Sequence, residues 1–451
     1  MTVSNADVRF QTRKRPSTAF AAATLMVAAA LIVRILLLIA SHLAQKKWHV
    51  DLQVIGQEAG FVAWALASGK GFANPFPHYE GATAWLAPVF PSLWAVGLKI
   101  FDPRNGERGV YFAQALNCIF SSATCVPIFW LGNRLFGERT GKAAAWCWAF
   151  FPLAILFSLE WAWDQSLSAL LLTLLICATY QLAEAAEKSA AWSAYGLGWG
   201  FAALVNPTLC VALPFLLMWV VLCRRAEGLA TLRPALTAIL LFLLALAPWT
   251  ARNYFALDGF TFVKSNFGLE LWLGNNPDVP KDDVYAAQLH PMNNHQQLFQ
   301  LAFAGELPYM RAKQHAAIAF IRTRPRDFAA LVSRRVLDTW TAWYDSRIDK
   351  WIRVLHLSGI AVAFCGAFSA LSLGGLILAL KKNFVPVLPV ALCAVLLPIP
   401  YYLTHTTLRY RHPIDPLLVL LPVYLVDSAV RKILGGSRLV ASPPVSQRPD
   451  A

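Results

Sequence analysis

Apolar runs long enough to cross a bilayer recur from one end of this sequence to the other. They fall at 20–43, 110–132, 142–159, 165–183, 190–205, 207–223, 234–253, 354–380, 384–403 and 414–430. In lipid every backbone N–H and C=O must be satisfied within the segment or its immediate partners, so runs of this kind fold as helices. The pattern predicts an all-α, polytopic membrane domain of about ten spans. Composition agrees: 57% of residues are hydrophobic and 14% are charged, against roughly 25% charged in a soluble globular chain.

The breaks between runs set the topology. Residues 1–19 form a basic tail in which Arg9, Arg13, Lys14 and Arg15 face one acid, Asp7. The first run is too long for a signal-peptide core and has no small-x-small cleavage site, so it reads as an uncleaved span. Pro88–Phe101 is apolar but only about fifteen residues long, a length that suits an interfacial helix. With that segment not spanning, Arg134/Arg139/Lys142, Arg224/Arg225/Arg233, Lys381/Lys382 and Arg431/Lys432 all fall on one side. That side is cytoplasmic by the positive-inside rule. The expected organisation is a cytoplasmic tail at 1–19, a transmembrane domain at 20–431 with outer loops 44–109 and 254–352, and a second cytoplasmic tail at 432–451. Within the second loop, apolar residues at helical spacing between 305 and 322 predict a helix.

The net charge of +14 is carried by short loops and tails, where it sets orientation, and we expect no nucleic-acid partner. The 17 tryptophans lie largely near run ends, as an aromatic belt requires. The eight cysteines show neither zinc-ligand nor disulfide spacing and read as packing residues.

Carboxylates and cations concentrate on the expected outer side. Asp51 and Glu58 follow the first span and would share a helix face. A carboxylate there can act as a general base towards an incoming hydroxyl or amine, or it can be a solvated loop acid. Glu160 ends the third run and could add a second carboxylate, while Asp164 reads as the N-cap of the next helix. Arg34, inside the first run, marks either a functional group or a side chain that snorkels to headgroups. The cluster Thr404-His-Thr-Thr-Leu-Arg409-Tyr410-Arg411-His412-Pro413 could grip a phosphate, because guanidinium binds two oxygens at once; the alternative is a basic turn touching ordinary headgroups. Arg252 and Lys264, just outside the seventh run, admit the same pair of readings.

These motifs, in this order, resemble the GT-C membrane glycosyltransferases, specifically the glycosyltransferase family 39 group of protein O-mannosyltransferases and aminoarabinose transferases. The resemblance is carried by the acid-bearing first outer loop, the run Ala63–Phe72, the Pro88-Val-Phe-Pro91 segment, Asn133-Arg-Leu-Phe-Gly137, Pro248-Trp-Thr-Ala-Arg252-Asn-Tyr254 and Arg409-Tyr-Arg-His-Pro413. It implies a GT-C-type helical fold with interfacial helices in the first outer loop. It implies a polyprenyl-phosphate sugar donor and inverting transfer to an acceptor on the outer side. The base would be Glu58 or Asp51, and the substrate-binding side chains would be Arg409, Arg411, Tyr410, Arg252, Lys264 and Glu160. Relatives often carry adjacent Asp-Glu after the first span; here the acids are separated, which keeps both as candidates.

The sequence requires no cofactor, and no His/Asp spacing compels a divalent metal. The expected partners are the lipid donor, an acceptor of unspecified chemistry and the membrane itself, with a bacterial inner membrane as the location. A lipid-linked sugar transporter or an oligosaccharide polymerase is the competing reading. A transporter, however, places its charges near the midplane of paired repeats, and this sequence gathers them at one face without a repeat.

Overall fold

The computed structural model describes residues 16–48, 57–101, 106–160, 162–184, 189–279, 288–343 and 358–440. Among them the chain is helical, and the one β-bridge pairs Ala73 with Ala82. In chain order the helices are α1 (Pro16–Trp48), α2 (Gln57–Ala67), α3 (Val89–Phe101), α4 (Gly106–Ala123), α5 (Cys125–Phe136), α6 (Glu138–Ala149), α7 (Pro152–Leu159), α8 (Gln165–Glu184), α9 (Ser189–Val205), α10 (Leu213–Ala226) and α11 (Leu232–Leu257). The second large loop holds α12 (Phe267–Gly274), α13 (His295–Ala304), α14 (Glu306–Thr323) and α15 (Pro325–Thr341). The chain then continues through α16 (Ser358–Lys382), α17 (Phe384–Leu396), α18 (Ile399–Leu403) and α19 (Asp415–Val440).

Each of the ten apolar runs is helical over its described residues, but they are not ten equal spans. Among the described residues six helical stretches are long and apolar enough to cross a bilayer (α1, α4–α5, α8, α11, α16 and α17–α18), and counting the bent pair α6/α7 as one span gives seven. The 17 residues of α9 and the 14 of α10 fall short in length, while α19 carries Asp427, Arg431 and Lys432. With 13 residues, α3 extends about 20 Å at ~1.5 Å per residue and is too short to cross. The expected helix near 305–322 is α14.

Lipid-facing and packed surfaces separate as a bilayer demands. Leu25, Ile32, Leu36 and Ile39 of α1 and Leu236, Leu240 and Leu244 of α11 are exposed. Small residues let helices approach in the interior. Gly132 of α5 and Gly141 of α6 touch so closely that a Cβ on Gly132 would lie 2.6 Å from the Gly141 Cα. Trp85, Trp148, Trp192 and Trp199 are fully buried, so this part of the tryptophan content fills the core rather than an interfacial belt. Five cysteines are buried, whereas Cys147 is exposed and Cys210 and Cys223 are half-buried; none of the eight is in a disulfide.

Arg34 neither snorkels nor enters a cavity. Its buried guanidinium donates to the carbonyls of Ala149 (2.7 Å), Trp148 (3.3 Å) and Ala30 (3.2 Å), and its Nε to the Ser121 hydroxyl (3.1 Å). Pro152 opens α7 at a 42° bend from α6 and has no N–H to offer the Trp148 carbonyl four residues back; that carbonyl is shared by the Phe151 N–H (3.1 Å) and the arginine from α1.

The two large loops share one apolar core. Val62, Trp85, Phe90 and Trp94 of the first loop pack with Leu269, Leu273, Leu301 and Met310 of the second. This joint core brings residues more than two hundred positions apart into one site.

Candidate active site

A cavity of about 760 Å³ opens where the two large loops meet the ends of α8, α9 and α18. Glu58, Lys264, Arg409 and Tyr410 all line it. Five further charged side chains do so as well: Asp164, Glu270, Arg334, Arg335 and Asp338. One flank is apolar and built from Leu86, Phe90, Pro91, Val205, Phe262 and Val263.

Glu58 lies in the first turn of α2, where the helix dipole favours a negative charge. Its Oε1 is 3.7 Å from His290 Nε2, and its side chain is 13% exposed. At the other side of the cavity the polar groups form a chain. The Asn266 amide donates to Glu270 Oε1 (2.6 Å), and Glu270 Oε2 is 3.3 Å from His405 Nδ1. His405 Nε2 is 3.2 Å from the Tyr410 hydroxyl, to which Arg409 also donates (3.2 Å). The Tyr410 ring stacks on Tyr401 at 4.4 Å, and the Arg409 guanidinium lies 5.1 Å from the centre of the Trp163 ring.

Burial dominates the electrostatics here. It pushes the Tyr410 hydroxyl up, against the pull of Arg409. It pushes His405 down, opposed by Glu270, so the imidazole is neutral at pH 7. It also pushes Asp164 up, opposed chiefly by Lys264, the Ser168 hydroxyl and Arg409. Asp164 precedes α8 as the sequence suggested, and its carboxylate accepts from the Ser168 hydroxyl (2.9 Å) while facing the cavity. Opposite it, Asn206 caps the turn Pro207–Val211 by accepting from the Thr208 N–H (3.1 Å), which fixes Asn206–Thr208 as cavity wall.

Two of the arginines singled out from sequence have other engagements. Arg252 donates from its two terminal nitrogens to the carbonyls of Thr83 and Phe72, both at 2.6 Å. It borders a separate polar depression of about 420 Å³ with Lys70 and Glu80. Arg411 is fully buried, pairs with Asp415 (2.9 Å), and donates to the Thr339 carbonyl and the Ser369 hydroxyl (both 3.2 Å). Neither lines the large cavity. Glu160 is half-buried at the end of α7 and is not among the lining residues. Asp51 lies outside the described residues.

His290, Arg335 and Asp338 had no sequence signal. His290 sits in a polar stretch with no motif, and the other two share α15 with residues that face solvent. Arg335 holds the cavity wall together by donating to Asn275 Oδ1 (3.2 Å) and to the carbonyls of Tyr402 (3.1 Å) and Gly274. Gly274 is obligatory there, since a methyl group would overlap the Thr404 carbonyl. Among the described residues no group of three or more His, Cys, Asp or Glu side chains is arranged to hold a metal ion.

The dolichyl-phosphate-mannose-protein mannosyltransferase family matches residues 85–251. Among solved structures, the oligosaccharyltransferase AglB of Archaeoglobus fulgidus, in complex with an inhibitory peptide and a dolichol-phosphate, is similar at a TM-score of 0.53 and 14% identity; the match covers 96% of this chain and 53% of AglB. The same enzyme tethered to an acceptor peptide containing the NVT sequon gives 0.52 and 15%, covering 96% and 52%. The chain thus spans about half the length of the archaeal enzyme. ArnT from Cupriavidus metallidurans bound to undecaprenyl phosphate covers 91% and 81% at 13% identity, with a TM-score of 0.35 that is too low to argue from. No curated protein matches by sequence. The chain is a multi-pass membrane protein of GT-C fold, and its residues 85–251 resemble the dolichyl-phosphate-mannose-protein mannosyltransferases.

Proposed function

We propose that this protein is an integral-membrane glycosyltransferase that moves a sugar from a polyprenyl-phosphate donor to an acceptor on the outer face of the membrane, with inversion. One observation carries the reading: a carboxylate, Glu58, and a pair of cations, Lys264 and Arg409, line a single cavity that has an apolar flank. A lipid-borne donor needs those three surfaces together. The apolar flank would take the polyprenyl chain, the cations would hold its phosphate, and the carboxylate would face the acceptor.

The chemistry follows from the charges. As the sugar–phosphate bond breaks, the bonding electron pair leaves on the phosphate oxygen. Arg409 and Lys264 stabilise that charge in a partly desolvated site, where fixed cations act most strongly. The Tyr410 hydroxyl, held neutral by burial, links Arg409 to His405 and so holds the guanidinium in place. Glu58 accepts the proton of the acceptor hydroxyl as its oxygen closes on the anomeric carbon. Asp51 is the other candidate base. Arg252 and Arg411 are committed to backbone carbonyls and to Asp415, so the phosphate grip is assigned to Arg409 and Lys264. A bacterial inner membrane with both termini cytoplasmic completes the proposal.

The test compares Glu58→Gln with Asp51→Asn in a deletion strain, reading glycolipids and glycoproteins by mass spectrometry. Binding of undecaprenyl phosphate to the purified protein serves as the second measurement. Loss of a general base costs roughly 10²–10⁴-fold, so one of the two variants should lose product while binding the lipid as before. If both keep full product, the transferase mechanism with a first-loop base is wrong, and a transporter becomes the better account.

A further inference from the structure

The second outer loop brings His290 to Glu58 in an orientation that its surroundings fix. The Met292 backbone N–H donates to His290 Nδ1 at 3.2 Å. The rings of Phe76 and Trp85 meet the imidazole nearly edge-on, at 5.8 Å and 5.6 Å, with interplanar angles of 72° and 88°. Because Nδ1 accepts a hydrogen bond, the neutral imidazole carries its proton on Nε2. Nε2 is the nitrogen that faces Glu58 Oε1 across 3.7 Å. The phosphate grip proposed above makes no use of this histidine.

We propose that His290 is a positioning residue for the Glu58 carboxylate, so that the second outer loop completes the base carried by the first. The assignment rests on reading Glu58 as the base. Nε2 stands 3.7 Å from Oε1, and closing that gap to hydrogen-bond length leaves Oε2 for the acceptor. In the transfer the acceptor proton passes to Oε2, the acceptor oxygen bonds to the anomeric carbon, and the electron pair of the broken sugar–phosphate bond leaves with the phosphate. His290 neither gains nor loses a proton in that balance. It supplies orientation, and a reacting group held in line is worth far more than one free to rotate.

The experiment uses the full chain with His290→Phe, which keeps a ring between Phe76 and Trp85 but has no donor, and His290→Gln, which keeps an N–H within reach. Product is read by mass spectrometry in a complemented deletion strain at matched expression, with undecaprenyl phosphate as the binding probe on purified protein. H290F should make 10- to 100-fold less product with unchanged probe binding, and H290Q should recover most of it. In an E58Q background H290F should cause no further loss. If H290F does not accumulate, His290→Asn, too short to reach Glu58, takes its place. Wild-type product from H290F, or H290Q as inactive as H290F while both bind the probe, overturns the assignment. Glu58→Gln separates the two ideas. An active E58Q removes the base itself, whereas an inactive E58Q beside a fully active H290F removes only the role of His290.

Discussion

Arg252 and Glu306 hold the same residue, Thr83, from two directions. Arg252 donates to the Thr83 carbonyl (2.6 Å), and the Thr83 hydroxyl donates to Glu306 Oε2 (2.5 Å). Glu306 Oε1 also accepts from the Ala84 N–H (2.8 Å) and the Ser265 hydroxyl (2.6 Å). Two residues further on lies Trp85, which meets His290. The clamp therefore ties the end of α11 and the start of α14 to the segment that backs Glu58.

Glu306→Ala should be costly, because it strands three buried donors. At ~1–3 kcal/mol for each group left unsatisfied, the loss is at least a few kcal/mol, visible as a lower thermal midpoint in detergent. Glu306→Gln isolates the charge. Burial raises the Glu306 carboxyl above its ordinary value against the pull of its hydrogen bonds and Arg252. The folded state then holds a proton that the unfolded state has released. The stability from this group is full below the unfolded value near 4.5 and is lost as pH rises through the folded one. The wild type should lose stability relative to E306Q across that interval; a gap that is constant with pH would contradict it. Arg252→Lys should not substitute, since one ammonium cannot match a fork that spans the Thr83 and Phe72 carbonyls.

Arg409 and Arg411, two positions apart, should behave as different kinds of residue. Arg411 and Asp415 are both fully buried, and removing one partner leaves an uncompensated charge at a cost of about 3–5 kcal/mol. Arg411→Met should therefore deplete the folded protein, and the double variant Arg411→Met/Asp415→Asn should recover part of it. Arg409→Met should leave the thermal midpoint near wild type and weaken undecaprenyl phosphate binding at least tenfold. Equal effects of the two single changes on both measurements would refute the division of labour.

The sequence made the helices legible because lipid leaves an apolar run no alternative, and it showed α3 as short because length can be counted directly. Span number was less legible, since α9 and α10 are apolar but brief, and proline breaks such as Pro152 redirect the chain. In the site, Glu58, Lys264, Arg409 and Tyr410 stood out by charge or aromaticity at run ends, and the fold brings all four to one cavity. Arg252 and Arg411 stood out for the same reason yet bind backbone. Charge at a membrane interface announces a cation without saying what it holds. His290 could not be found from pattern at all, because its place depends on the shared core of two loops far apart in sequence.

Gly274 links α12 to the segment that carries His405 and Arg409. Its Cα faces the Thr404 carbonyl with no room for a side chain, and the Asn275 amide donates to the Leu403 carbonyl beside it (2.8 Å). Gly274→Ala should push the 404–410 segment away, costing about 1–3 kcal/mol as overpacking does. It should also lower lipid binding, although no charged group has been changed. Full binding with an unchanged thermal midpoint would show that the segment gives way freely.

Lys313 provides a chemical check on the second large loop. Its ammonium lies 3.8 Å from the centre of the Trp272 ring and 5.1 Å from that of Tyr309. The rings favour the charged form, but burial outweighs them and lowers the group from 10.5 to about 8. At pH 8 about half of Lys313 would then be the free amine, whereas an ordinary exposed lysine is almost wholly protonated. Trace acetylation with peptide mapping should show Lys313 reacting with a midpoint near 8 and well ahead of exposed Lys70. Trp272→Ala opens the amine to water and removes one ring that favours the charge. Since desolvation is the larger influence, the midpoint should move up towards 10.5 in that variant, while a downward move would mean that the indole, rather than burial, governs the amine.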